Sequence, residues 1–391
     1  NLNKGLQLPS AKGDGGILRV RTVSEAGLKN IPPEMQSNIS KADNLIIALA
    51  LELSKEYENF VLVSRDINVR VKCDALGVKS EDYLRIRVKQ EKEELYRGVE
   101  RLQATQAFID DFYREASVIL PPEMYVDKKL YSNQFLVMKE QGGNSASAIA
   151  RFDAPNKPLK QLTDIKDAFG LIPRNKEQKF ALDLLYDPNI KLVSLIGPSG
   201  TGKTLLAAAA GVDQTRGGQR KYDKLIITRP VQPLGKDIGF LPGTLHEKME
   251  PWIAPLKDNL NFLFGSKNKN STKTRRTKDD EYLSIEIEKG HIEIEAITFI
   301  RGRSIPNAFI IIDEAQNLSV HELKTIVTRV GDGTKIVLTG DIEQIDNVHV
   351  DACSNGLTYA VERFKEYPIA GHITLLKGER SELATLASKI L

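Results

Sequence analysis

Cysteine is nearly absent from the chain. Cys73 and Cys353 are the only two among 391 residues, and they lie far apart. That excludes a disulfide framework and fits a reducing compartment. Long apolar runs are missing as well, since none approaches the roughly 18 residues that cross a bilayer. The N-terminus, Asn-Leu-Asn-Lys-Gly, has neither an initiator methionine nor an apolar signal core. The expectation is a soluble cytoplasmic chain with no membrane partner, and the missing methionine reads as a fragment of something longer. Charge of one sign is not in excess either. The 55 Lys and Arg against 52 Asp and Glu leave a net +3, so any nucleic-acid surface must be a local patch. There is no internal repeat. What is present is ordinary globular material: 41% hydrophobic residues and a length that suits two or three domains.

Residues 1–90 read as part of an α/β sheet. A helix opens at Ser40 with Asp43 in the capping-box position, and Leu45, Ile46, Leu49 and Leu53 recur at helical spacing. Phe60–Val63 is an apolar run fit for a buried strand, and the helix after Asp66 ends at Gly77, a plausible C-cap. Residues 91–170 read as a connecting region. Its start is charge-rich, an amphipathic stretch and a short strand around Gln134–Val137 follow, and the Gly, Ser, Asn and Pro of 140–160 suggest a linker or exposed loop.

From residue 171 onward the pattern sharpens. A helix is predicted over Lys176–Tyr186. Strands are predicted at Leu192–Ile196, Leu225–Thr228, Phe309–Asp313, Ile336–Thr339 and His372–Leu376. Strands alternating with helices predict a mostly parallel sheet covered on both faces. The stretch Ser266–Asp280, rich in Lys and Arg and poor in apolar residues, reads as a mobile basic loop.

Gly197-Pro198-Ser199-Gly200-Thr201-Gly202-Lys203-Thr204 matches the P-loop pattern, with an apolar strand before it and an alanine-rich helix after it. Its glycines permit a tight curl whose N–H groups face phosphate oxygens. Lys203 would bridge the β- and γ-phosphates of ATP, and Thr204 would hold Mg²⁺. Asp313, delivered to a strand's carboxyl end, would hold the same ion through water, and Glu314 would orient and deprotonate the attacking water. On the next strand, the acid and amide of Leu338-Thr-Gly-Asp-Ile-Glu-Gln344 are placed to sense the γ-phosphate, although Gly-Asp is also an ordinary turn. The Gln178 amide suits the adenine edge, or serves merely as a surface helix residue.

Several further stretches resemble the PhoH-like ATPase domain: Ile227-Thr-Arg-Pro230, Gly239-Phe-Leu-Pro-Gly243, Pro251-Trp252, Arg301-Gly-Arg-Ser304, Asp313-Glu-Ala-Gln-Asn317 and Leu338-Thr-Gly-Asp341. Ser354-Asn-Gly-Leu357 and Gly378-Glu-Arg-Ser381 look like the subgroup in which that domain follows a PIN nuclease domain. The Asp-Glu-Ala-Gln and Gly-Asp-x-x-Gln elements are also similar to those of superfamily 1 helicases. The resemblance implies a P-loop NTPase domain preceded by a partial PIN-like domain, with ATP-driven movement on single-stranded RNA. It also implies a homo-oligomer, with a hexameric ring as one form, in which Ser266–Asp280 is either an RNA-facing arm or a merely solvated loop. Arg380 matches the position of a γ-phosphate-sensing arginine, with Arg301, Arg303 and Arg329 as rivals.

In residues 1–90, Lys41–Asn44 and Val63–Arg70 are similar to the later acidic motifs of a PIN domain. The resemblance therefore places Asp43 and Asp66 near a Mg²⁺ or Mn²⁺ ion. The family's first Asp strand and early helical acid are missing, so the expectation is half a nuclease site. Asp43 is alternatively a helix-capping carboxylate. For the chain as a whole, a regulatory module set by ATP is the competing class. A small-molecule kinase ranks below it, because Glu314 beside Asp313 suits water activation.

Overall fold

The computed structural model describes residues 5–7, 16–29, 31–33, 42–64, 66–81, 88, 94–115, 117–141, 146–216, 220–230, 245–267, 275–297, 304–347 and 350–378. Two compact units are present, Asn1–Ile86 and Arg87–Leu391.

In the first unit, strands β1 (Leu6–Gln7) and β2 (Ile17–Leu18) form a short antiparallel pair, while β3 (Leu62–Val63) and β4 (Ser80–Glu81) pair in parallel. Helix Ala42–Glu56 buries Asn44, Ile47, Ala48 and Leu51, an i, i+3, i+4, i+7 face. Leu45 and Ile46, which the apolar spacing assigned to the core, are exposed. The face built on small Ala48 and Ala50 won because it lets the helix pack closely on Val69 and Cys73. Ser40 lies outside the described residues. The strand expected at Phe60–Val63 is only two residues long, with Val63 exposed. Helix Ile67–Ala75 does end as predicted. Gly77 takes φ 75°, and Val78 N–H donates to Cys73 O, a left-handed helix stop that glycine adopts without steric penalty.

The region expected as connector and linker is a folded sheet. Strands β5 (Val99–Ala104), β6 (Phe135–Glu140), β7 (Ser147–Arg151) and β8 (Lys160–Gln161) lie in that order, with β5–β6 parallel and the others antiparallel. Ala148 and Ala150 of β7 are fully buried beside Leu136 and Met138. Their alternation with Ser147 and Ile149 is a strand pattern written in small residues, which composition alone mistakes for a linker. Arg151 pins this sheet to the rest of its unit. Its guanidinium bonds Asp183 Oδ2 at 2.7 Å and also Asp187, both on or just after helix Lys176–Tyr186.

The central sheet has the order β11–β10–β12–β13–β9–β14 and is parallel throughout. Its strands are β9 (Leu192–Ile196), β10 (Lys224–Arg229), β11 (Ile292–Ala296), β12 (Ala308–Ile312), β13 (Lys335–Gly340) and β14 (Ala370–Thr374). Five were expected, and β11 is an addition at the edge. Strands β9, β12 and β13 are buried along their whole length, as a parallel sheet covered on both faces requires. One core collects helices Lys176–Tyr186 and Lys203–Thr215, and the other collects Val320–Val327 and Gly356–Phe364. Helix Lys176–Tyr186 has the predicted limits, with Asn175 capping it through Gln178 N–H.

The basic stretch Ser266–Asp280 is not a continuous loop. Helix Leu245–Lys267 runs into it and helix Arg275–Glu288 starts within it. Lys and Arg are good helix formers, so a charged, apolar-poor sequence is compatible with helix ends; residues 268–274 lie outside the described set. Among the described residues no helix is long and apolar enough to cross a membrane.

Candidate functional site: a P-loop and two strand-end motifs

The parallel sheet brings three sequence motifs to one edge. Strand β9 ends at Ile196, and the chain then curls through Gly197–Gly202 into helix Lys203–Thr215. Gly197 cannot be replaced here without movement, because a Cβ would lie 2.2 Å from Leu375 O. Gly202 caps the helix at φ 89°, a left-handed conformation that side-chain-bearing residues rarely take. These two constraints put the N–H groups of the loop at a helix N-terminus, where phosphate binds readily. Lys203 is buried, and its Nζ donates to Gly197 O at 2.5 Å and Pro198 O at 2.9 Å. The ammonium is thus held over the curl, where phosphate oxygens would take over those bonds. Thr201 is buried, its hydroxyl bonded to Pro198 O.

Asp313 follows β12 and is 6% exposed. Its Oδ1 accepts hydrogen bonds from Thr204 Oγ1 and Thr339 Oγ1, each at 2.6 Å. The Thr204 hydroxyl and the Asp313 carboxylate are therefore adjacent and suit a hard cation that prefers oxygen ligands. Thr204 and Asp313 would hold Mg²⁺ there, which would supply positive charge against the charge developing on phosphate oxygens.

Glu314 comes next, at φ 52°. A non-glycine residue in that region is uncommon, and such strain concentrates at functional sites. Gln316 Nε2 donates to Glu314 Oε2 at 2.6 Å, and Arg229 pairs with Glu314 Oε1 at 3.3 Å. Fully buried Gln316 also donates to Gln344 O at 2.8 Å and accepts from Asp341 N–H at 3.1 Å. Asn317 fixes the far side of the same loop, its Oδ1 accepting from Asp346 N–H at 2.8 Å. Asp341 in turn accepts from Ser199 N–H at 3.0 Å. The P-loop, the Asp313–Glu314 turn and the loop Asp341–Asn347 thus form one hydrogen-bonded network.

The other expected residues fall as follows. Gln178 is buried, and its amide is already engaged with backbone: Oε1 accepts from Arg174 N–H at 2.8 Å, and Nε2 donates to Thr201 O at 3.1 Å. It ties the segment before the helix to the P-loop. Gln344 joins the network through its backbone while its side chain is exposed. Arg329 is exposed just past helix Val320–Val327. Arg301, Arg303 and Arg380 lie outside the described residues. Arg229, Gln316 and Thr339 were not singled out from sequence. The available signal was strand register: pairing Thr228 with Ile312 brings the next residues, Arg229 and Asp313, to the same sheet end. A cavity of about 290 Å³ adjoins the outer side of the loop, lined by Arg97, Gly197, Pro198, Asp341 and Glu343 among others.

In the first unit, Asp66 is the N-cap of helix Ile67–Ala75. Its Oδ1 accepts from Asn68 N–H at 2.8 Å and Val69 N–H at 3.3 Å. Asp43 is exposed in the first turn of helix Ala42–Glu56. Among the described residues no group of three or more His, Cys, Asp or Glu comes together that could hold a metal. Among the described residues, Asp43 and Asp66 are not part of such a group.

Comparison with known proteins accords with this geometry. The family model described as PhoH-like protein matches residues 170–390, and the PIN domain model matches residues 6–84. A protein named PhoH2 from Bacillus subtilis (strain 168) is 48% identical over 385 residues, covering 96% of this chain and 83% of that protein. One of the same name from Mycolicibacterium smegmatis is 32% identical, covering 96% and 80%. Among solved structures, the UvsW helicase from bacteriophage T4 overlaps 79% of this chain and 77% of its own at 14% identity, with a TM-score of 0.29, too low to bear on function.

Proposed function

The chain belongs to the PhoH-like protein family with a PIN domain ahead of the P-loop domain, and on that footing we propose that it hydrolyses ATP to drive movement along single-stranded RNA. The observation that carries this is the network centred on Gln316. The turn holding the water-activating carboxylate shares one buried amide with the loop Asp341–Gln344, and that loop touches the P-loop through Asp341. A change at the γ-phosphate is therefore transmitted to strand ends on the sheet's carboxyl edge, where ligands of parallel sheets bind. In this assignment Lys203 binds phosphate, Thr204 and Asp313 hold Mg²⁺, Glu314 activates water and Gln344 belongs to the loop that responds. Arg380 is the proposed γ-phosphate sensor. The working form is a homo-oligomer, with a hexameric ring as one form, and in the intact protein the motor is coupled to PIN-domain cleavage of RNA.

Steady-state ATP hydrolysis, measured with and without single-stranded RNA, tests the proposal. Stimulation by RNA supports a motor. Turnover indifferent to RNA, together with ATP-dependent changes in oligomer size by light scattering, would favour a regulatory or assembly module instead.

A further inference from the structure

Both oxygens of the Glu314 carboxylate have a partner. Oε2 takes the Gln316 amide at 2.6 Å, and Oε1 faces the Arg229 guanidinium at 3.3 Å. The two holders are anchored differently. Gln316 is fully buried in the same turn as the glutamate. Arg229 ends β10, its side chain is 27% exposed, and the next residue is Pro230, which cannot extend the ladder with an N–H. One partner is part of the packed site, and the other sits at its rim.

A general base must present a lone pair to the water it deprotonates. A guanidinium paired with the carboxylate fixes the direction in which its oxygens point, which the left-handed backbone at Glu314 has already made particular. The pairing belongs to a resting site rather than to one activating water. We propose that Arg229 is a brake on Glu314, released when a backbone phosphate of a bound nucleic-acid strand takes the guanidinium. Arginine suits such an exchange because its planar fork bonds phosphate and carboxylate in the same geometry. The half-buried position of Arg229 at the carboxyl edge of the sheet leaves part of its side chain open to such a strand. Release by a strand rests on the motor function proposed above, whereas the brake itself does not.

The decisive measurement is hydrolysis by the full chain without nucleic acid. Arg229→Gln raises this basal turnover about threefold to fivefold, the rate equivalent of one partly exposed ion pair, with KM for ATP nearly unchanged. Adding Glu314→Gln to that variant abolishes the gain, which shows that the extra turnover runs through the glutamate. With oligouridine present, the stimulation factor of Arg229→Gln shrinks by as much as its basal rate rose. If Arg229→Gln does not fold by circular dichroism, Arg229→Met is read in the same way, since it also removes both the charge and the fork. A fall in basal turnover overturns the brake, because Arg229 then serves the nucleotide. An unchanged basal rate overturns it too, because the pair is then only a surface contact. A wild type that oligouridine does not stimulate removes the motor function alone, and the basal comparison still decides the brake.

Discussion

Gln316 donates its amide to the Glu314 carboxylate across 2.6 Å, and the same side chain accepts from Asp341 N–H. A buried amide with three partners orients the glutamate and fixes the loop that follows β13. Gln316→Ala leaves a backbone donor and acceptor unpaired in the interior. The expected cost is about 1–3 kcal/mol of stability. At temperatures where the variant stays folded, kcat is expected to drop about tenfold or more, through misplacement of the base, with ATP affinity little changed. Thermal melts and steady-state hydrolysis check both. A variant as active as the wild type would reduce Gln316 to packing.

Lys203 and Glu314 should fail in different ways. Lys203 sits over the phosphate curl, bonded to Gly197 and Pro198 carbonyls, so Lys203→Ala weakens ATP binding and abolishes turnover. Glu314 lies outside the curl, so Glu314→Gln retains binding and loses about 10²–10⁴-fold in turnover, the usual worth of a general base. Equilibrium binding of a fluorescent ATP analogue beside single-turnover hydrolysis separates the two. Comparable turnover of Glu314→Gln and wild type would remove the glutamate from the mechanism.

Asp66 in this chain is a helix cap. Asparagine caps as well as aspartate does, so Asp66→Asn leaves the stability of the first unit nearly unchanged, while Asp66→Ala lowers it by about 1 kcal/mol. Urea unfolding followed on the first unit measures the difference. The same chain incubated with RNA and Mg²⁺ or Mn²⁺ should show little cutting. Strong, Asp66-dependent cleavage would mean that the carboxylate serves a metal after all.

His372 gives the fold a pH dependence. It is buried on β14, its Nδ1 3.0 Å from Ser194 O and its Nε2 3.0 Å from Thr374 Oγ1. A carbonyl only accepts, so Nδ1 carries the proton and Nε2 accepts from the threonine. Burial is the main cause that lowers its pKa to about 4, against the hydrogen bonds that favour the charged ring. In the unfolded chain the ring protonates near the ordinary 6.5. Between those values the unfolded chain holds the extra proton, so stability falls as pH drops from about 6.5 toward 4. This group contributes about 1.4 kcal/mol per pH unit within that window. His372→Gln should unfold with a shallower acid dependence than wild type. Parallel pH slopes for the two proteins would exclude His372 as the source.

Much of the nucleotide site was legible beforehand because its chemistry is local. The P-loop curl, its strand and its helix are contiguous, and Asp313–Glu314 follows an unbroken apolar run that only a buried strand explains. Helix Lys176–Tyr186 was legible as well, and the structure adds the Asn175 cap that starts it. Of the small sheet β5–β8 only the strand around Gln134–Val137 was legible, since Ala148 and Ala150 carry too little hydrophobic signal to mark β7 as a buried strand. Nor was the buried face of helix Ala42–Glu56, where close packing of alanines outweighed larger apolar side chains.

The sequence by itself determined that this is a P-loop protein of the PhoH-like kind and pointed to Lys203, Thr204, Asp313 and Glu314 as its candidate site, because each motif is defined by residues a few positions apart. Only the tertiary structure decided which side chains hold those groups. Thr204 meets Asp313 because β9 and β12 both flank β13 in one parallel sheet. Arg229 meets Glu314 because the β10–β12 register ends both strands together. Such contacts depend on strand order and register, which are set by the packing of the whole sheet and not by any one segment.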